Sequence, residues 1–221
     1  LKDDYSIDPE DYVGLGENIV IANPNAPTGM ALSRPEIERI IASNPDHVVV
    51  IDEAYVDFGG ESAISLIPEY DHLLVVRTFS KSRGLAGLRL GFAAGQEELI
   101  RDLKTMQYST NPYNVDRLAQ AAGIACLERD ELNMERVRKI CETREWTKRE
   151  LLARNFQVTD SKANFVFARH ENFPGSSLMD GLRKMGILIR WFDQPRIRNW
   201  NRISIGTKDD MKQLIFAIDS L

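Results

Sequence analysis

Apolar and polar positions alternate in two different rhythms along this chain. Through the first hundred residues, short apolar runs of strand length fall at 18–22 (NIVIA), 47–51, 73–76 and 88–94. Between the first two runs, Ser33 and Glu36 stand at capping-box spacing, and Ile37, Ile40 and Ile41 form a helical stripe that runs to about Ser43. Asn44 and Pro45 then end that helix. Strand, helix, strand is one βαβ unit, which predicts parallel pairing. The link between the third and fourth runs is too short for a helical crossover, so the fourth strand is expected to run antiparallel at one side.

Helical periodicity then takes over, at 97–108, 115–128 and in a long charged stretch at 130–155. Beyond it the order changes again. A strand at 165–168, a helix at 176–184, strands at 187–191 and 202–205 and a helix from 209 predict a small α+β unit. The expected organisation is a large α/β unit over residues 1–135, with a three-layer, mostly parallel sheet, and a small α+β unit over 136–221. Residues 1–17 are polar and are expected to carry no core of their own.

Composition narrows the function classes more than the fold. At 221 residues, 43% hydrophobic and 28% charged, the chain is long enough for one large or two modest cores. A net charge of −5 gives no basic footprint, which argues against a nucleic-acid partner. The apolar runs stop far short of the roughly 20 residues that span a bilayer, so no membrane partner is expected. Residues 1–12 are acidic and polar, unlike a signal peptide. Cys126 and Cys141 form neither a disulfide framework nor a metal-ligand spacing, and a reducing, cytoplasmic setting fits them best.

The candidate chemistry sits at the ends of the second and third strands. Ligands of parallel α/β sheets bind beyond the carboxyl ends of the strands. There the sequence puts Asp52 and, across the expected crevice, Lys81, with Arg89 eight residues further on in a Gly-rich return. Each has a plain alternative: a strand-end Asp caps its own turn, a lysine is solvated, an arginine makes a surface ion pair. As a set they suit a ligand with a basic ring nitrogen, a carbonyl and a phosphate. Asp52 would hold a heteroaromatic nitrogen protonated, which makes the ring an electron sink as in pyridoxal phosphate. Tyr55 could meet the ring's 3-oxygen. The amine of Lys81 could condense with an aldehyde and later carry a proton. Thr78, Ser80 and Arg89 offer two hydroxyls and a forked cation to a phosphate.

Five motifs in order carry a family resemblance: NPNAPTG at 23–29, VVIDEAYVDF at 49–58, RTFSKSRGLAGLRLGF at 77–92, NPYNV at 111–115 and RISIGT at 202–207. The chain resembles the class I/II, fold-type I pyridoxal-phosphate aminotransferases, and among them the histidinol-phosphate aminotransferase group. The resemblance covers essentially the whole chain. It implies Lys81 as the cofactor-linking lysine, Asp52 as partner of the pyridine nitrogen and Tyr55 on the 3-oxygen. It also implies Thr78, Ser80 and Arg89 on the cofactor phosphate, with Arg190 and Arg202 on a substrate phosphate. The implied reaction is amino transfer between histidinol phosphate and 2-oxoglutarate or glutamate, by a cytoplasmic homodimer.

Two departures accompany the resemblance. The family's asparagine before Pro-Thr-Gly is Ala26 here, which leaves Asn25 or Asn23 as substitutes, or Tyr55 serving alone. The family also carries a further N-terminal portion, with the Gly-rich phosphate loop and the residue that stacks on the ring. This chain is therefore expected to be a truncated form with about four sheet strands and little activity alone. Three other readings are an aromatic aminotransferase or threonine-phosphate decarboxylase of the same fold type, a non-catalytic remnant, and a nucleotide-binding domain. No G-x-G-x-x-G follows the first strand, which counts against the last.

Overall fold

The computed structural model describes residues 1–221. Two four-stranded sheets organise it. The first has strand order β1-β2-β3-β4, from β1 (Ile19–Ala22), β2 (Val49–Asp52), β3 (Leu73–Thr78) and β4 (Gly91–Gly95). The β1–β2 and β2–β3 pairs are parallel and the β3–β4 pair is antiparallel, as the link lengths require. Alternation along β2 and β3 turns Val49, Ile51, Leu73 and Val75 to one face, where they meet Ile37, Ile40 and Ile41 of α1 (Arg34–Ala42) in one buried cluster. Glu36 closes the start of α1, its carboxylate accepting from the Ser33 N–H and hydroxyl at 2.7 Å each.

Three helices follow: α2 (Glu97–Thr110), α3 (Arg117–Glu128) and the 23-residue α4 (Asp130–Leu152). The second sheet has order β5-β6-β8-β7, all antiparallel, from β5 (Phe156–Val158), β6 (Phe165–His170), β7 (Arg190–Trp191) and β8 (Asn201–Ser204). Helices α5 (Gly175–Lys184) and α6 (Lys208–Ile218) pack Leu178, Leu182, Met211, Leu214 and Ile215 onto it, and Leu151 of α4 joins that core. The residue 135/136 boundary falls inside α4, a continuous helix that touches both sheets' neighbourhoods.

The structure corrects four details of the sequence reading. Strand β4 begins at Gly91 rather than at 88, because 86–88 form a short 3-10 turn and Arg89 adopts a left-handed backbone, φ 53°. The 187–191 strand shrinks to Arg190–Trp191, because Ile187 and Ile189 pack against the core instead of joining the ladder. Strand β5 goes unsignalled, its three residues carrying too short a pattern to read. Residues 1–17 are not without a core role: Ile7 and Tyr12 pack on the first cluster, and the Tyr5 ring sits 5.0 Å from that of Trp200. No helix is long and apolar enough to cross a membrane.

Candidate active site

The pleat assigns the strand-end residues to opposite faces. Asp52 and Thr78 continue the face opposite α1, while Glu53 and Arg77 continue the α1 face. Asp52 is half-buried, and its Oδ1 accepts from the Ala54 N–H at 3.0 Å. No protein group meets its Oδ2. Its plain alternative, a turn cap, thus uses one oxygen and leaves the other free.

Three residues later the chain turns, and the Tyr55 ring lies edge-on to Phe165 of β6, centroids 5.2 Å apart. The Lys81 ammonium stands 5.1 Å from the Tyr55 ring centroid, and no carboxylate pairs with it. The Arg202 guanidinium also lies against Phe165, 5.3 Å from that ring's centroid. Lys81, Tyr55, Phe165 and Arg202 thus form one continuous run from the first sheet to the second. Phe165, 2% exposed, is the member that sequence reasoning missed, since nothing local marks it.

Arg202 has a second neighbour of its own charge. Arg190 of β7 is its direct cross-strand partner. Like charges placed opposite each other across a ladder repel. Neither arginine has a carboxylate partner, and the buried Nε of Arg202 has no hydrogen-bond acceptor. A donor buried without an acceptor costs free energy until an anion supplies one. Arg190 itself is exposed, its guanidinium 5.4 Å from the Phe192 ring centroid. Arg196, by contrast, is consumed locally by the Leu1 and Lys2 carbonyls.

The candidate phosphate group is only partly drawn together. Thr78 Oγ1 and Ser80 Oγ are 2.9 Å apart, and the Ser80 N–H donates to Thr78 Oγ1 at 3.1 Å. Arg89 is exposed and donates to the Ala86 carbonyl at 2.9 Å, with no hydrogen bond to either hydroxyl.

The NPNAPTG loop is mostly architectural. Asn23 is fully buried, its amide donating to the Leu32 carbonyl and accepting from the Leu32 N–H, so it is not free for a ligand. Asn25 donates to Thr28 Oγ1 at 2.8 Å, and Ala26 is exposed. Gly29 has φ 74°, and a Cβ there would meet Ser161 Oγ at 2.1 Å, so only glycine fits. The same seam carries two bonds between the sheets' flanks, Lys162 N–H to the Gly29 carbonyl at 2.7 Å and Thr159 hydroxyl to the Thr28 carbonyl at 2.6 Å. A second seam is Arg144 of α4, 5% exposed, whose Nη1 donates to the carbonyls of Phe58 and Ala163.

Comparison with known proteins identifies the family. The family described as aminotransferase class I and II matches residues 2–218. A histidinol-phosphate aminotransferase of Brachyspira hyodysenteriae is 49% identical over 96% of this chain, which covers 60% of that relative. The chain thus spans about 60% of the length of the curated relatives it matches. Among solved structures, the histidinol-phosphate aminotransferase of Clostridium acetobutylicum superposes with a TM-score of 0.90 at 26% identity, over 100% of this chain and 69% of that one. The Sinorhizobium meliloti histidinol-phosphate aminotransferase in complex with pyridoxal 5'-phosphate gives a TM-score of 0.81 at 25% identity, over 91% and 56%.

Proposed function

Because this chain belongs to the class I and II aminotransferase family, we propose that its residues form part of a pyridoxal-phosphate site that transfers an amino group between histidinol phosphate and 2-oxoglutarate or glutamate. The observation that carries the reading is the run Lys81–Tyr55–Phe165–Arg202, which joins a free amine to an anion-seeking arginine across two sheets. Relatives at 44–49% identity named for histidinol phosphate support the choice of substrate.

The residues present fit the cofactor. Asp52 keeps a carboxylate oxygen free, the Tyr55 hydroxyl makes no hydrogen bond within the protein, and the Lys81 amine is unpaired. When bound, pyridoxal phosphate supplies an electron-withdrawing ring that stabilises a carbanion. Asp52 supports that role by holding a proton on the ring nitrogen, since a carboxylate favours the charged form beside it. The Tyr55 hydroxyl donates to the ring oxygen. The Lys81 Nζ anchors the cofactor and, once released, takes and returns the proton at the substrate carbon. Thr78, Ser80 and Arg89 hold the cofactor phosphate, with Arg89 swinging from Ala86 to do so, and Asn25 stands in for the asparagine that Ala26 replaces. Arg190 and Arg202 grip the substrate phosphate between them, which relieves their mutual repulsion and satisfies Arg202 Nε.

A homodimer and a cytoplasmic setting belong to the same reading. The exposed apolar side chains of α2 and the two unpaired cysteines support them.

The test is an absorbance titration of the protein with pyridoxal phosphate beside Lys81→Ala, followed by rates with histidinol phosphate and threonine phosphate. The expected result is a band near the visible edge that the substitution abolishes, and a preference for histidinol phosphate. A band untouched by Lys81→Ala removes these residues as the cofactor site. A preference for threonine phosphate reassigns the substrate.

A further inference from the structure

Behind Lys81 lies a chain of alternating charges that the reaction above does not use. Glu53, its side chain fully buried, accepts from Arg77 through Nε and Nη2 at 2.9 Å each. Its remaining capacity is taken by the Ser62 hydroxyl at 2.8 Å and the Ala63 N–H at 2.6 Å. Arg77 also reaches Asp57 at 3.6 Å. Asp57 accepts in turn from Ser82 Oγ and Arg83 Nη1, and Arg83 Nη2 meets Asp130 Oδ1, in the first turn of α4, at 2.7 Å. The series Glu53, Arg77, Asp57, Arg83, Asp130 alternates in sign throughout, and its first four members border a small cavity of about 190 Å³.

Its register gives it a role. Asp57 stands two residues after Tyr55, and Arg83 two residues after Lys81. The Asp57–Arg83 pair therefore fixes the turn that carries the phenol to the loop that carries the amine. Few main-chain bonds assist it. Between Lys81 and Leu90 the loop is held by Gly84 N–H to Lys81 O, Leu85 N–H to Phe79 O, Leu88 N–H to Leu85 O and, at its far end, Phe79 N–H to Leu90 O. Phe79, 5% exposed, anchors the loop before Lys81, and Ser82 with Arg83 anchor it after. Both members of the central pair are sheltered, with Arg83 13% and Asp57 19% exposed, so solvent and salt screen the pair only weakly.

We propose that Arg83 and Asp57 are positioning residues that set the Lys81 amine against the Tyr55 ring, with Asp130 tying the same loop to α4. The proposal rests on the role assigned to Lys81 above. Arg83 touches neither the amine nor the ring; it acts through the backbone two residues away.

The test reads the loop itself. Arg83→Met keeps an unbranched stem, shorter than arginine's, and removes the pairs to Asp57 and Asp130, and Asp57→Asn removes the pairs to Arg77 and Arg83. Amide hydrogen exchange on the cofactor-free chain is expected to rise about tenfold over residues 81–90 in Arg83→Met, with β1, β2 and β3 unchanged. Acetylation of Lys81, followed by peptide mass, is expected to accelerate relative to Lys104 and Lys184. Arg83→Lys, able to meet one acid at a time, restores part of both effects. Unchanged exchange over 81–90 overturns the proposal, as does an equal rise across the whole first sheet, which would give Arg83 a merely structural role. The underlying reading fails separately, if the unsubstituted protein shows no Lys81-dependent absorbance with pyridoxal phosphate.

Discussion

The sheets β1–β4 and β5–β8 have four strands each and differ in how completely they are covered. Helices α4, α5 and α6 close the second sheet into a core that includes Leu151, Leu178, Leu182, Leu214 and Ile218. The first sheet is closed on the α1 side and only partly on the other, where Leu74 is buried. At its edge, Val20 is 72% exposed, α2 buries no residue at all, and Met106 and Tyr108 stand 61% and 71% exposed. Most of the candidate chemistry nevertheless hangs on the first sheet. The second contributes two arginines mounted on a finished core. The well-packed unit thus acts as the platform and the less covered one as the bearer of reactive groups, with apolar side chains of α2 left exposed.

The most severe test of this contrast is a truncation in the covered core. Leu182→Ala is expected to cost about 2–5 kcal/mol in denaturant unfolding, because the site is fully enclosed and leaves a cavity. Val20→Ala in the same assay should stay within about 0.5 kcal/mol. Similar losses at the two positions would erase the distinction between the sheets.

Next comes the link between the units. Arg144→Met leaves the Phe58 and Ala163 carbonyls without their charged donor, for an expected loss of about 2–3 kcal/mol. The two sheets should then unfold in separate transitions, which fluorescence of the tryptophans in and beside the second unit would resolve from circular dichroism of the whole.

The mildest change concerns acid. The Lys148 ammonium donates to Asp160 and holds its carboxyl below the usual 3.8, although partial burial opposes this. A depressed folded value stabilises the protein above about pH 4, and that contribution disappears as pH falls through the lower, folded value. Asp160→Asn should therefore flatten the acid limb of the stability curve, by less than about 1 kcal/mol, since the side chain is largely solvated. An unaltered acid limb would show that the pair contributes nothing measurable.

Local pattern made much of this legible. The capping box before α1 and the short return into β4 each follow from a few adjacent residues. So does the strand-end placement of Asp52, because period two and parallel topology together determine it. What local pattern could not give are contacts between distant residues. Phe165 meets Tyr55 from 110 positions away, and Arg144 reaches back to Phe58; neither looks unlike an ordinary core phenylalanine or helix arginine. The charge series behind Lys81 left a faint trace, since Glu53 and Arg77 directly neighbour Asp52 and Thr78. Their place on the opposite pleat face keeps that cluster apart from Asp52 and Thr78.

Gly29 and Ser161 have a mechanical consequence. Where the Ser161 side chain fills the space that a side chain at position 29 would need, the two bodies cannot slide along each other there without collision. The hydrogen bonds of Lys162 and Thr159 beside it, and of Arg144 at the second seam, hold the two bodies against tilting as well, so the crevice between them keeps one width.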